Sequence, residues 1–161
     1  SFFLIGALLL DKKLPLPIKL IESDHCGTCT ACIDKCPTDA IDPMSRTLNA
    51  NRCISTFTIE QFKDDEAPIG YQGGSEIFGC DICQDVCPWN RETFSFANDS
   101  LYEKGTEKQI ELINFFKCRE NDKITFELKN MSKKGFKRKF KDTSLERTGR
   151  DGLLKNINRK V

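Results

Sequence analysis

The chain is most informative first in what it lacks. It has a single histidine, His25, among 161 residues. A site ligated by several imidazoles is therefore excluded. Beside Cys26, His25 reads as a neighbour of metal ligands or as a surface residue. The longest apolar run, Phe2 to Leu10, is nine residues, whereas a membrane-crossing helix needs about 20. No basic residue precedes that run, so it does not read as a secretory signal. It reads instead as a helix or strand from within a domain, and a chain starting inside a domain is expected to be a fragment. Nine cysteines are an odd number. With no secretory signal and mixed charge, this points to a cytoplasmic protein with reduced thiols rather than a disulfide framework.

What is present is cysteine in a particular order. Cys26, Cys29, Cys32 and Cys36 are spaced by two, two and three residues, and Pro37 follows. In this bacterial ferredoxin spacing, three close thiolates grip one 4Fe-4S cluster and the fourth reaches a second. A second run, Cys80, Cys83 and Cys87 followed by Pro88, lacks a middle cysteine because Val86 stands where one is expected. Two clusters need eight thiolates, and Cys53 closes the count. One cluster is therefore assigned to Cys26, Cys29, Cys32 and Cys87, and the other to Cys36, Cys53, Cys80 and Cys83. Structural zinc sites more often show two separated Cys-x2-Cys pairs. Gly27 and Gly79 are expected to turn the chain tightly at the ligands, and Pro37 and Pro88 to stop the short helices before them. Cys118, in the apolar stretch Ile113 to Cys118, is expected to be a buried helix cysteine without chemistry.

The net charge of +1 conceals an asymmetry. Residues 1–97 carry 8 Lys+Arg against 14 Asp+Glu, and residues 98–161 carry 17 against 10. The excess is densest from Lys133 to Lys141, where Phe136 and Phe140 interleave with cations. Two readings stand for this stretch: a grip on a phosphate backbone, or a solvated helix whose phenylalanines dock on a core. Short apolar stretches leave little for a conventional core around the cysteines, so the clusters are expected to form part of it.

Periodicity predicts a short helix after Cys29, a turn at Asp42–Met44, a helix over 54–62 and a polar loop over 63–75. Helices are also predicted at 106–118, 124–130, 133–140 and 149–157. Pro15 and Pro17 are expected to end the first element.

These residues resemble the C-terminal part of the epoxyqueuosine reductase family. The resemblance rests on Asp24 to Ile41 with its four cysteines and on Arg52-Cys53-Ile54-Ser55. It rests also on Cys80-Asp81-Ile82-Cys83 through Cys87-Pro88-Trp89-Asn90, and on the tail from Thr143 to Asn156. The resemblance implies an α+β fold, mainly helical and loop. Residues 1–22 would end a truncated cobalamin domain, most of which is missing, and 23–97 would form a ferredoxin-like domain with two 4Fe-4S clusters. Residues 98–161 would form a basic HEAT-like helical-repeat cap.

It further implies an oxidoreductase of queuosine biosynthesis, in which electrons from ferredoxin or flavodoxin pass through the clusters to cobalamin and epoxyqueuosine in tRNA is reduced to queuosine. The tRNA would be held at its queuosine-type anticodon stem-loop. A cytoplasmic monomer without a membrane partner is expected. Ser55, Thr58, Glu60, Cys80 and Asp81 would face cobalamin, although Ser55 and Thr58 could equally bond the backbone, Glu60 face solvent and Trp89 cover a cluster. No residue here matches the family's proposed catalytic acid. Two other readings share the cysteines: a stand-alone two-cluster carrier, and a cobalamin and iron-sulfur enzyme like the reductive dehalogenases. Neither accounts for the basic tail.

Overall fold

The computed structural model describes residues 6–12, 24–61, 76–90, 106–117 and 120–158. The expected loop at 63–75, the prolines at 15 and 17, the run at 1–5 and Cys118 lie outside them. Leu8, Leu9 and Leu10 are exposed.

The cysteine-bearing part is built from very short elements. Helix α1 is Ala31–Asp34 and helix α2 is Ile82–Asp85. Each ends ahead of a Cys-Pro pair, as the missing proline N–H requires. Between them come a 3-10 turn at Ala50–Arg52 and a π-helical turn at Thr56–Glu60, and a second 3-10 turn at Pro88–Asn90 follows α2. The Asp42 carboxylate accepts the N–H groups of Met44 and Ser45 at 3.0 and 2.6 Å. This closes the expected turn in the manner typical of aspartate.

Beyond that turn Ile41 and Leu48 form an isolated antiparallel bridge. Among the described residues it is all that remains of the β component of the expected α+β fold. The amides here serve turns and sulfur, including Cys29 N–H to Cys26 O at 2.9 Å and Ala40 N–H to Cys36 Sγ at 3.2 Å. Few are left for a ladder.

The helix expected over 54–62 occurs in place but differs in type. It widens into the π-turn, with Gln61 N–H donating to Thr56 O at 2.9 Å. Phe62 lies outside the described residues.

Four helices make the second part: α3 (Glu107–Phe116), α4 (Asn121–Asn130), α5 (Lys133–Lys139) and α6 (Leu145–Asn158). Thr106 and Gln109 cap α3 reciprocally, side chain to backbone in both directions. The Ser132 hydroxyl caps α5 through Gly135 N–H at 3.0 Å. Helix α4 starts a turn earlier than its apolar pattern, because the extended residue Glu120 offers its carbonyl to the N–H groups of Lys123 and Ile124. Helix α6 also starts earlier than expected, at Leu145, and is broken at Gly149, whose φ of 69° lies in the left-handed region.

Phe115, Ile124, Leu128, Phe136, Phe140, Leu145, Leu153 and Ile157 form the buried core of this part. Ile77 and Phe78, just ahead of Cys80, pack against it. The two parts thus meet directly beside a cysteine. No helix among the described residues is long and apolar enough to cross a membrane.

Candidate metal centre

Eight cysteines carry free thiols: Cys26 and Cys29 are exposed, while Cys32, Cys36, Cys53, Cys80, Cys83 and Cys87 are half-buried. The first loop turns at Gly27, where φ is 51°, and Gly79 precedes Cys80 with φ of 78°. Both values are ones that residues with a Cβ rarely adopt. The Asp24 carboxylate accepts the Cys26 N–H at 2.9 Å, and Arg46 bonds the Gly27 carbonyl and pairs with Asp24. The first loop is therefore shaped by its own turn residues.

Cys36 has the environment of a ligating thiolate. Burial pushes its pKa up, but the N–H groups of Thr38, Ala40 and Ile41 and the Thr38 hydroxyl outweigh burial and hold it below the ordinary thiol value. Donors aimed at sulfur stabilise the anion that binds metal.

The second loop leans on the Cys53 segment. The Ser55 hydroxyl accepts the Cys80 N–H at 2.9 Å, and the Thr58 hydroxyl accepts the Gly79 N–H at 3.1 Å while donating to Ile54 O at 2.8 Å. Burial raises the Cys80 pKa; Ile82 N–H partly offsets this, and Glu76, Cys83 and Cys53 add to it. Cys83 is likewise raised by burial, then by Cys53 and Cys32. Neighbouring thiols add to burial in disfavouring the charged form of Cys80 and Cys83. Cys53 therefore stands close to both Cys80 and Cys83, and Cys32 close to Cys83.

Trp89 joins the two loops. Its Nε1–H donates to His25 O at 3.3 Å and its ring meets that of His25 edge to face at 5.5 Å. The turn after Cys87 thus touches the residue before Cys26, and α1 packs on α2.

Eight cysteines, seven in two runs of ferredoxin spacing with Cys53 between them, are a donor set that suits iron-sulfur clusters. A 4Fe-4S cluster takes its four thiolates from around a cube rather than at a point. For cobalamin the fit is narrower. Ser55 and Thr58 have committed their hydroxyls to the Gly79–Cys80 loop, and Glu60 pairs with Arg147. Cys80 and Asp81 border a cavity of about 510 Å³ with Ile77, Phe78, Leu112 and Phe116.

The sequence reading missed the groups that hold the π-turn from outside. Lys155 Nζ donates to Phe57 O and Gln61 O, each at 2.8 Å, and stands 4.1 Å from the Phe57 ring centroid. Asn156 Nδ2 donates to Thr58 O and Ile77 O, each at 2.8 Å. Thr148 Oγ1 donates to Ile59 O at 3.2 Å. The local pattern did not mark them: Lys155 stands two residues from both Leu153 and Ile157, on the side of α6 away from them, and Thr148 precedes the break at Gly149.

A 4Fe-4S double cluster binding domain matches residues 25–90. Epoxyqueuosine reductase of Leadbetterella byssophila is 45% identical over 159 residues, which is 98% of this chain and 46% of that protein. The Cyclobacterium marinum epoxyqueuosine reductase is 38% identical over 98% of this chain and 45% of its own length. That of Xanthomonas campestris is 50% identical over 95 residues, 56% of this chain. The chain spans less than half the length of the first of these relatives. No solved structure matches it.

Proposed function

We propose that this chain, a homologue of the epoxyqueuosine reductases along nearly its whole length, is the electron-transfer part of such an enzyme. Its cysteines hold two 4Fe-4S clusters, one on Cys26, Cys29, Cys32 and Cys87 and one on Cys36, Cys53, Cys80 and Cys83. The observation that carries this reading is the set of eight reduced thiols in ferredoxin spacing, with Cys53 close to both Cys80 and Cys83. The contact of Trp89 with His25 supports the crossing of Cys87 to the first loop.

When bound, the clusters supply one-electron transfer at low potential, and cobalamin, held largely by groups outside this chain, supplies the reductant for the epoxide of epoxyqueuosine in tRNA. The chain's residues do the positioning. Gly27 and Gly79 turn the loops, Ser55 and Thr58 fix the Cys80 arm, and donors at Cys36 favour its thiolate. Cys80 and Asp81 form the edge nearest cobalamin. Electrons arrive from an external ferredoxin or flavodoxin at the exposed first loop. The division at 1–22, 23–97 and 98–161 assigns the helical-repeat cap to tRNA.

Within the cap only part of the basic segment is available for phosphate. Lys133, Lys137 and Lys139 pair with Asp151, Glu146 and Glu127. Lys134, Arg138 and Lys141 are exposed with no ion pair among the described residues; Lys134 and Arg138 stand one turn apart on α5, and Lys141 lies just beyond its end. Reversing these three to Glu should weaken tRNA binding for all sequences and flatten its salt dependence. Unchanged affinity and slope would remove tRNA from this face.

Anaerobic reconstitution tests the clusters. About eight iron and eight sulfide per chain are expected. Cys53→Ala should lose one cluster and spare the other, and Cys118→Ala should lose neither. Full iron content in Cys53→Ala would sink the ligand assignment.

A further inference from the structure

Helix α6 contains two polar side chains that an ordinary packing helix would not bury. Lys155 is 7% exposed and Asn156 1% exposed. Burying an ammonium group costs several kcal/mol unless its hydrogen bonds are made, and Lys155 donates to two carbonyls of the π-turn region, Phe57 O and Gln61 O. A π-turn shifts the backbone pairing by one residue and leaves carbonyls at its end without their usual donors. Lys155 and Thr148 supply donors from across the interface.

Asn156 does more, because its two N–H groups go to different segments. Thr58 O lies in the helix that follows Cys53, and Ile77 O lies in the strand of chain that leads into Gly79 and Cys80. These same segments are joined a second time, by the Thr58 hydroxyl to Gly79 N–H and the Ser55 hydroxyl to Cys80 N–H. One amide thus ties together the segment that follows Cys53 and the segment that leads into Cys80 and Cys83. The Asn156 Oδ1 is buried with no hydrogen-bond partner. That expense is tolerable where the two N–H bonds set the position of something else.

We propose that Asn156 and Lys155 are positioning residues for the cluster held by Cys53, Cys80 and Cys83, so that the basic helical part sets the geometry and potential of that cluster. The inference rests on the two-cluster reading. It adds a physical link between the part of the chain assigned to tRNA and the part assigned to electron transfer. The other cluster, on the Cys26 loop, has no bond from α6 among those described.

The test compares variants on one helix in the reconstituted protein. Lys155→Met and Asn156→Leu remove the donors while keeping similar volume, Lys155→Arg restores charge and donors, and Leu153→Ala only opens the core. The midpoint potentials of both clusters are followed by electron paramagnetic resonance during redox titration, with iron content and thermal midpoint beside them. Lys155→Met and Asn156→Leu should shift one cluster's redox equilibrium at least tenfold, about 59 mV for one electron, or lose that cluster alone, and Lys155→Arg should largely restore it. Leu153→Ala should lower the thermal midpoint with both potentials unchanged. In a Cys53→Ala background the remaining cluster should not respond to Lys155→Met. Thr148→Val, which deletes only the bond to Ile59 O, gives the same comparison in milder form where the others fail to fold.

The inference is overturned if the donor variants lower only the thermal midpoint, or if Leu153→Ala shifts the same potential equally. A wild-type protein that takes up no cubane iron would instead overturn the two-cluster reading beneath it.

Discussion

The cysteine-bearing part and the helical part reach order by different means. In residues 24–61 and 76–90 the buried side chains are Thr38, Ala40, Ile54, Phe57, Thr58 and Asn90, half of them polar, and the helices are only four residues long. Such helices are far below the length at which a helix persists alone. In residues 106–117 and 120–158, eight apolar side chains close on one another across four helices, two of which, α3 and α5, are capped by side chains. The helical part contains its own core. The other part is a set of hydrogen-bonded loops arranged around thiols, and its missing interior is what two cubane clusters would fill.

The largest effect should therefore come from removing iron. Hydrogen exchange compared between reconstituted and iron-stripped protein should show protection lost in the loops of residues 26–36 and 80–87, while α4 and α6 keep most of theirs. Equal loss in both parts would mean that they fold as one unit, and retained protection in the loops would mean that hydrogen bonds alone suffice.

Next in size are truncations in the helical core. Leu128 is 0% exposed and Phe140 1%. Phe140 also meets Phe115 and Phe136 at ring-centroid distances of 5.3 and 4.5 Å. Leu128→Ala should cost about 2–5 kcal/mol and Phe140→Ala about 3–5 kcal/mol, read from denaturant midpoints. Iron content at low temperature should be unchanged. Loss of iron in step with stability would blur the contrast between the parts.

The sequence disclosed these two parts unequally, and for a physical reason. The cysteine loops were legible because ligand spacing, turn glycines and Cys-Pro ends are local features, and the helices were legible because apolar residues repeat along them. Boundaries failed where a backbone group outside the pattern started the helix: Glu120 before α4, and Leu145 ahead of the break at Gly149. The π-turn and its clamp stayed hidden because Lys155, Asn156 and Thr148 bond carbonyls 79 to 98 residues away. A bond from side chain to backbone over that distance leaves no spacing to read. The shared use of Ser55 and Thr58 was likewise half seen, since their hydroxyls bond the backbone as one reading allowed, but that backbone belongs to the other cysteine loop.

Smaller effects probe each part at one position. Gly79→Ala would place a Cβ 3.8 Å from Ile59 Cδ1, an ordinary contact, so its cost is the left-handed backbone, about 1–2 kcal/mol. Because the strain falls beside Cys80, it should be read as slower cluster assembly as well as lower stability. Thr106→Ala removes the capping box of α3 and should cost about 1 kcal/mol, with no change in assembly rate. An assembly defect in Thr106→Ala would extend the dependence on α6 to the whole helical part.

The smallest effect is electrostatic and belongs to the helical part alone. Asp151 accepts from Lys133 at 2.9 Å and from Arg150 at 2.9 Å. These hydrogen bonds, with burial opposing them, hold its pKa below the ordinary carboxylate value of 3.8. A carboxylate depressed in the folded state stabilises the fold fully above its unfolded value and loses that contribution as pH falls through the folded one. The pairs are partly solvated, so the effect should stay within about 1 kcal/mol. Asp151→Asn should therefore be less stable than wild type near neutrality, and the gap should close as pH drops below the ordinary carboxylate range. Measuring the two proteins side by side by helix ellipticity cancels any acid loss of clusters common to both. A gap that persists at low pH would mean that Asp151 acts through packing at Arg150 and not through its charge.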